Sequence, residues 1–78
     1  MDSQNKNLKI NIKNNNIINI EIDSNKTIQS LKKEINGTNG FSIKKQKLFL
    51  NEIELEDNKK IKDYKISNLD ILLCLIFN

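Results

Sequence analysis

What most constrains this chain is an abrupt change of hydrophobic period within its first half. Leu8, Ile10 and Ile12 alternate with Lys9, Asn11 and Lys13, and after Asn14-Asn15-Asn16 a second alternation runs through Ile18, Ile20 and Ile22. Period two sends successive side chains to opposite faces, so each stretch predicts a strand with one apolar face, and the polar break between them predicts a hairpin turn. Asn suits such a turn because it tolerates positive φ better than other residues with a side chain. Ile17 interrupts the alternation and is expected to point outward or to edge the turn. The period then lengthens. Thr27 can cap a helix whose apolar positions are Ile28, Leu31 and Ile35, spaced i, i+3, i+7. Gly37 and Gly40 follow, and the helix is expected to stop between them, where glycine accepts the left-handed conformation. A hairpin with one apolar face and a helix with one apolar stripe can bury both against each other, which points to two layers.

The second half supplies the rest of the sheet. Phe41 and Ile43 lead to Gln46-Lys47-Leu48-Phe49-Leu50-Asn51, a strand with Leu48 and Leu50 on one face and Phe49 on the other. Glu52 precedes a brief strand, Ile53-Glu54-Leu55, and Glu56-Asp57-Asn58 reads as a turn. Residues 61–66 are too few for a packed helix and predict a single 3₁₀ turn. Residues 71–77 form a last strand that is apolar on both faces. The expected fold is α+β: a mixed sheet of four to five strands packed on one helix, in the order ββαββ(3₁₀)β, with the last strand parallel to the first in the sheet centre. Residues 1–6 are polar and without period, which predicts a disordered tail before a single domain at 7–78.

Composition removes most chemistry. Seventy-eight residues support one core. Asn, Ile and Lys fill more than half the positions, while Ala, Val, Pro, Arg, Trp and His are absent. This skew resembles AT-rich coding, so a single Asn or Lys carries little functional weight. Without His and with one Cys, the chain cannot build a His-based triad, a Cys–His pair, a two-Cys two-His zinc site or an internal disulfide. No cofactor or metal is expected, and no enzyme activity. Cys74 lacks a base to activate it and is read as a packing thiol. Strand alternation would send Glu52, Glu54 and Glu56 to one solvated face. The clusters Lys44-Lys45-Lys47 and Lys59-Lys60-Lys62 contain no aromatic residue to stack on bases and no Arg to read them, so nucleic acid is a weak alternative. The first residues have no apolar targeting segment, and residues 71–77 are too few to span a bilayer. A soluble intracellular protein is expected, with no membrane partner and no small-molecule substrate.

The segment Gln46-Lys47-Leu48-Phe49-Leu50, then Leu55-Glu56-Asp57, then Ile61-Lys62-Asp63-Tyr64-Lys65-Ile66 resembles the pattern of ubiquitin at the same separations. The spacing of Thr27-Ile28, Leu31-Lys32 and Ile35 before Gly40-Phe41 is similar as well. The resemblance covers residues 8–77 and implies a ubiquitin-like β-grasp fold. A finer similarity, through Glu34-Ile35-Asn36-Gly37-Thr38-Asn39-Gly40, is to the domains of ubiquilin-type shuttle proteins. The first hairpin is shorter than ubiquitin's, leaving no counterpart among Asn14, Asn15 and Asn16 for that family's exposed loop leucine. Conjugated members end in Gly-Gly, whereas this sequence ends Leu75-Ile76-Phe77-Asn78, and Ile53 and Asn68 stand where ubiquitin has its main chain-linking lysines. The resemblance therefore implies the non-conjugated type: a cytoplasmic and/or nuclear docking domain of a larger ubiquitin–proteasome adaptor, whose partners are a proteasome receptor or ubiquitin-interacting helices. The alternatives are a modifier processed from a longer precursor and a weak nucleic-acid-binding module.

The resemblance also implies where a partner would bind. Phe49 matches the central isoleucine of ubiquitin's apolar sheet patch, and Leu72 and Cys74 are matched to its flanking histidine and valine. If Ile71, Leu73 and Leu75 face the helix, then Leu72, Cys74 and Ile76 face outward beside Phe49. Lys47 is expected to pair with acids flanking a partner helix, and Ile53 to lie at the rim. Tyr64 is expected to tie down the turn near Glu56 through its hydroxyl.

Overall fold

A computed structural model describes residues 5–12 and 15–77. The two alternating stretches are strands β1 (Asn5–Ile12) and β2 (Asn16–Asp23), followed by helix α1 (Ile28–Asn39). A 3₁₀ turn (Ile43–Lys45), which the sequence reading missed, leads into β3 (Gln46–Leu50) and β4 (Ile53–Glu54). The expected second 3₁₀ turn (Ile61–Tyr64) and β5 (Ile71–Ile76) complete the order. The strands form one five-stranded sheet in the order β2-β1-β5-β3-β4. β5 lies parallel to β1 and antiparallel to β3. β1 begins two residues before the expected domain start: Asn5 pairs with Asp23 and Lys6 with Ile22, and the Lys6 ammonium donates to the Ile66 carbonyl at 2.7 Å. Backbone pairing holds these two polar residues in line, a contribution that side-chain period does not report. Met1 to Gln4 of the expected tail, Lys13 and Asn14 of the hairpin, and Asn78 lie outside the described residues.

The helix forms where its caps permit. Thr27 Oγ1 accepts from the Ser30 backbone N–H at 3.2 Å, and Gly40, at φ 78°, donates its N–H to the Asn36 carbonyl at 2.7 Å. Gly37 lies within the helix, and Gly40 takes the left-handed position that closes it. Ile28, Leu31 and Ile35 are wholly buried against Leu8, Ile10 and Ile12 of β1 and Ile20 and Ile22 of β2, in one core with Leu48, Leu55, Ile61 and Ile66.

Three polar residues, Ser24, Lys32 and Gln46, are buried among the described residues, although their type suggests the surface. Lys32 sits one position beyond the apolar stripe and reaches Asp57 at 2.5 Å. The Gln46 amide nitrogen donates to the carbonyls of Lys32 at 3.0 Å and Phe41 at 2.9 Å. These bonds tie the start of β3 to the helix and to the chain leaving it. Tyr64 behaves as expected, its hydroxyl accepting the Glu56 N–H at 2.8 Å.

β5 overturns the expected parity. Its register pairs Ile10 with Leu72 and Ile12 with Cys74 across the parallel ladder, and Leu48 with Cys74 across the antiparallel one. Side chains opposite one another share a face of the sheet. Since Ile10, Ile12 and Leu48 face the helix, Leu72 and Cys74 must do so too. They are 0% and 1% exposed, and Ile76 is partly buried against the same core. Ile71, Leu73 and Leu75, assigned inward from the sequence, face the opposite side. A strand apolar on both faces carries no parity signal of its own, so one residue of register exchanges its two faces. Burial pushes the Cys74 thiol up to about 11, against the opposing pull of the Lys32 charge.

The β3–β4 hairpin closes through Asn51 and Glu52, both at positive φ, 50° and 72°. Two-residue turns of that kind favour Asn then Gly, so Asn51 fits and Glu52 is strained.

Three outcomes are expected. Leu31→Ala should lower unfolding free energy by roughly 2–5 kcal/mol in a denaturant titration, whereas a loss below about 1 kcal/mol would mean that Leu31 is not a core plug. Glu52→Gly should raise stability by on the order of 1 kcal/mol, because glycine relieves the left-handed strain. The folded thiol of Cys74 keeps its proton over a pH range where the unfolded thiol has lost it. Stability from this group is therefore full below the unfolded value near 9 and falls as pH rises toward about 11. Cys74→Ala should flatten that segment of the stability–pH curve, and an unchanged slope would show that Cys74 does not cause it.

Candidate protein-docking face

The face opposite the helix is built by alternation on three strands. Leu73 stands directly across from Phe49 on β3 and from Asn11 on β1, Leu75 stands across from Lys47, and Ile71 from Lys9. Each is the outward neighbour of a core residue, because the inward positions are taken by Ile10, Ile12, Leu48, Leu72 and Cys74. Ile71, Leu73 and Leu75 remain 48%, 41% and 40% exposed, and Phe49 is half-buried among them. With Asn51 and Glu52 these four apolar side chains line a shallow depression of about 300 Å³. Ile17, exposed at the start of β2, pairs with Asn11 and extends the outward row Phe49–Leu73–Asn11 across the sheet.

The sequence-predicted residues divide between this face and the rest of the molecule. Phe49 and Lys47 belong to it. The Lys47 ammonium lies 4.9 Å from the centroid of the Phe77 ring, an exposed aromatic just past β5. Ile53 is exposed at the sheet edge, but it pairs with Leu50, whose side chain packs toward the core, and so has the parity opposite to Phe49. Leu72, Cys74 and Ile76 belong to the core side. Sequence reasoning missed Ile71, Leu73 and Leu75. Cys74 itself was the available signal: a cysteine with no base to activate it is among the residues most often buried, and placing it inward places Leu73 and Leu75 outward.

What these side chains offer is apolar contact area. A contiguous cluster of exposed apolar side chains on so small a domain stabilises a complex when a partner removes it from water. The acids do not form one site: Glu52 borders the Phe49 depression, Glu54 stands across from Phe49 on β4, and Glu54, Glu56 and Asp57 line a separate depression with Lys32. The expected alternation of Glu52, Glu54 and Glu56 fails because Glu52 occupies the turn rather than the strand. Among the described residues no three acidic or thiol side chains are grouped to hold a metal ion, and no helix is long and apolar enough to cross a membrane.

No curated protein matches the chain. The model of the Ubiquitin family does, over residues 8–77, from within β1 to just past β5. That span takes in the five-stranded mixed sheet, its single helix and the outward face of Phe49, and the chain belongs to the ubiquitin family.

Proposed function

We propose that this domain is a non-catalytic docking module, the part of a larger cytoplasmic and/or nuclear ubiquitin–proteasome adaptor that receives a partner helix on its outward sheet face. The observation that carries this reading is the exposed cluster of Phe49, Ile71, Leu73 and Leu75 on a rigid sheet. An amphipathic helix of a proteasome receptor or a ubiquitin-interacting segment would lay its apolar stripe across Leu73, with Phe49 as the central contact. Lys47 and Lys9, which flank the cluster at Leu75 and Ile71, favour acids beside that stripe through charge complementarity.

A chemical-shift titration with helical peptides of the ubiquitin-interacting type tests the reading. Resonances of Lys47, Phe49, Leu73 and Leu75 should move, and Phe49→Ala should weaken binding by on the order of 2 kcal/mol. Leu73→Ser should weaken binding while costing clearly less stability than Leu31→Ala, since Leu73 is 41% exposed and Leu31 is wholly buried. Cys74→Ala should do the reverse, lowering stability with little change in affinity for the folded fraction. Shifts confined to the helix face or to Lys59, Lys60 and Lys62 would overturn the assignment.

A further inference from the structure

Resting on that docking reading, we infer that Glu52 is a specificity-determining residue of the face, selecting a partner helix that carries an Arg or Lys at one end of its apolar stripe and an acid at the other. Glu52 is exposed, makes no ion pair among the described residues, and borders the depression formed by Phe49, Ile71, Leu73 and Leu75. It holds this place at φ 72°, a backbone position for which glycine is the natural choice. The local fold therefore gains nothing from a side chain there, while the rim of the face gains an unpaired carboxylate.

The charges around the cluster give the partner its pattern. Lys47 and Glu52 stand near opposite ends of β3 and border the same apolar stripe, Lys47 beside Leu75 and Glu52 beside Phe49 and Ile71. Three strand steps from Lys47 to Leu50 and the Asn51–Glu52 turn separate them, roughly 10 to 15 Å. A helix covers that distance in about seven to ten residues, two to three turns, so complementary charges on it return to one side of the stripe. Lys9 borders the Glu52 end from the β1 side, two strand spacings or roughly 10 Å away. The partner's cation consequently belongs over the β3–β4 edge, where Glu54 stands across from Phe49 as a second acid, and away from Lys9.

Two synthetic amphipathic helices with the same apolar stripe test this, one ending in Glu and Arg and the other in Glu at both ends. Affinities are measured by chemical-shift titration against the wild-type chain, Glu52→Gly and Glu52→Lys. Wild type should prefer the Glu/Arg helix by about three- to fivefold at low salt, the range of one exposed ion pair, and the preference should fade near 0.5 M salt, roughly, where exposed charges are screened. It should fall to about twofold or less in Glu52→Gly, which stays folded with a higher melting temperature and keeps Glu54 at that edge, and be lost in Glu52→Lys. Equal binding of the two helices to wild type, or a preference undiminished in Glu52→Gly, overturns the role of Glu52 while leaving helix docking intact. If neither helix moves the Phe49, Leu73 and Leu75 resonances, helix docking fails and the role of Glu52 fails with it.

Discussion

Lys9 to Ile12 and Ile71 to Cys74 come from opposite ends of the chain and lie side by side in the middle of the sheet. That parallel ladder closes the fold. Until it forms, the β1–β2 hairpin and the β3–β4 hairpin are not joined within the sheet, because β5 lies between β1 and β3 in the strand order. Parallel pairing needs a long crossover, and here helix α1 and the loops after it supply one while covering the apolar face of the sheet. The interaction also decides which residues of β5 face outward. By setting Leu72 and Cys74 opposite Ile10 and Ile12, it commits Leu73 and Leu75 to the outside.

The core beneath this ladder is mostly Ile and Leu, and Ser24, Lys32 and Gln46 are the polar residues buried with it among the described residues. Lys32 with Asp57, and Gln46 with the carbonyls of Lys32 and Phe41, connect helix, β3 and the loop after β4. Only the Lys32 end of this ion pair is buried and Asp57 is half in water, so screening and the desolvation of Lys32 leave the pair little net stability. What these contacts supply is direction. The Gln46 amide cannot satisfy its donors if β3 slides along the helix, so the position of Phe49, three residues further on, is set by hydrogen bonds as well as by packing.

The outward face depends on this rigidity. Apolar residues on mobile loops would lose conformational entropy on binding, whereas Phe49, Leu73 and Leu75 are already held by the strands that carry them. The face is apolar at its centre and charged at its rim, with Lys47, Lys9 and Glu52 on different sides. In the proposed docking, its centre would supply contact area and its rim discrimination between partners.

By itself the sequence determined much of the fold. The change from period two to helical spacing placed both strands of the first hairpin and the helix, Thr27 and Gly40 marked the helix ends, and the residues around Leu48, Leu55 and Tyr64 identified the family. These signals are local: each depends on side chains within a few turns or strand steps of one another. Phe49 and Lys47 were legible for the same reason, since Leu48 and Leu50 fix their alternation. Only the tertiary structure decided the faces of β5. Residues 71–76 are apolar at every position, and nothing within the strand distinguishes inward from outward until Ile10, Ile12 and Leu48 pair with it. The same holds for Glu52, whose sequence neighbours suggested an acidic strand edge. Its place beside Phe49 exists because the two-residue turn carries it out of the strand's alternation, and a backbone conformation of that kind is set by the pairing of β3 with β4 rather than by the residue it contains.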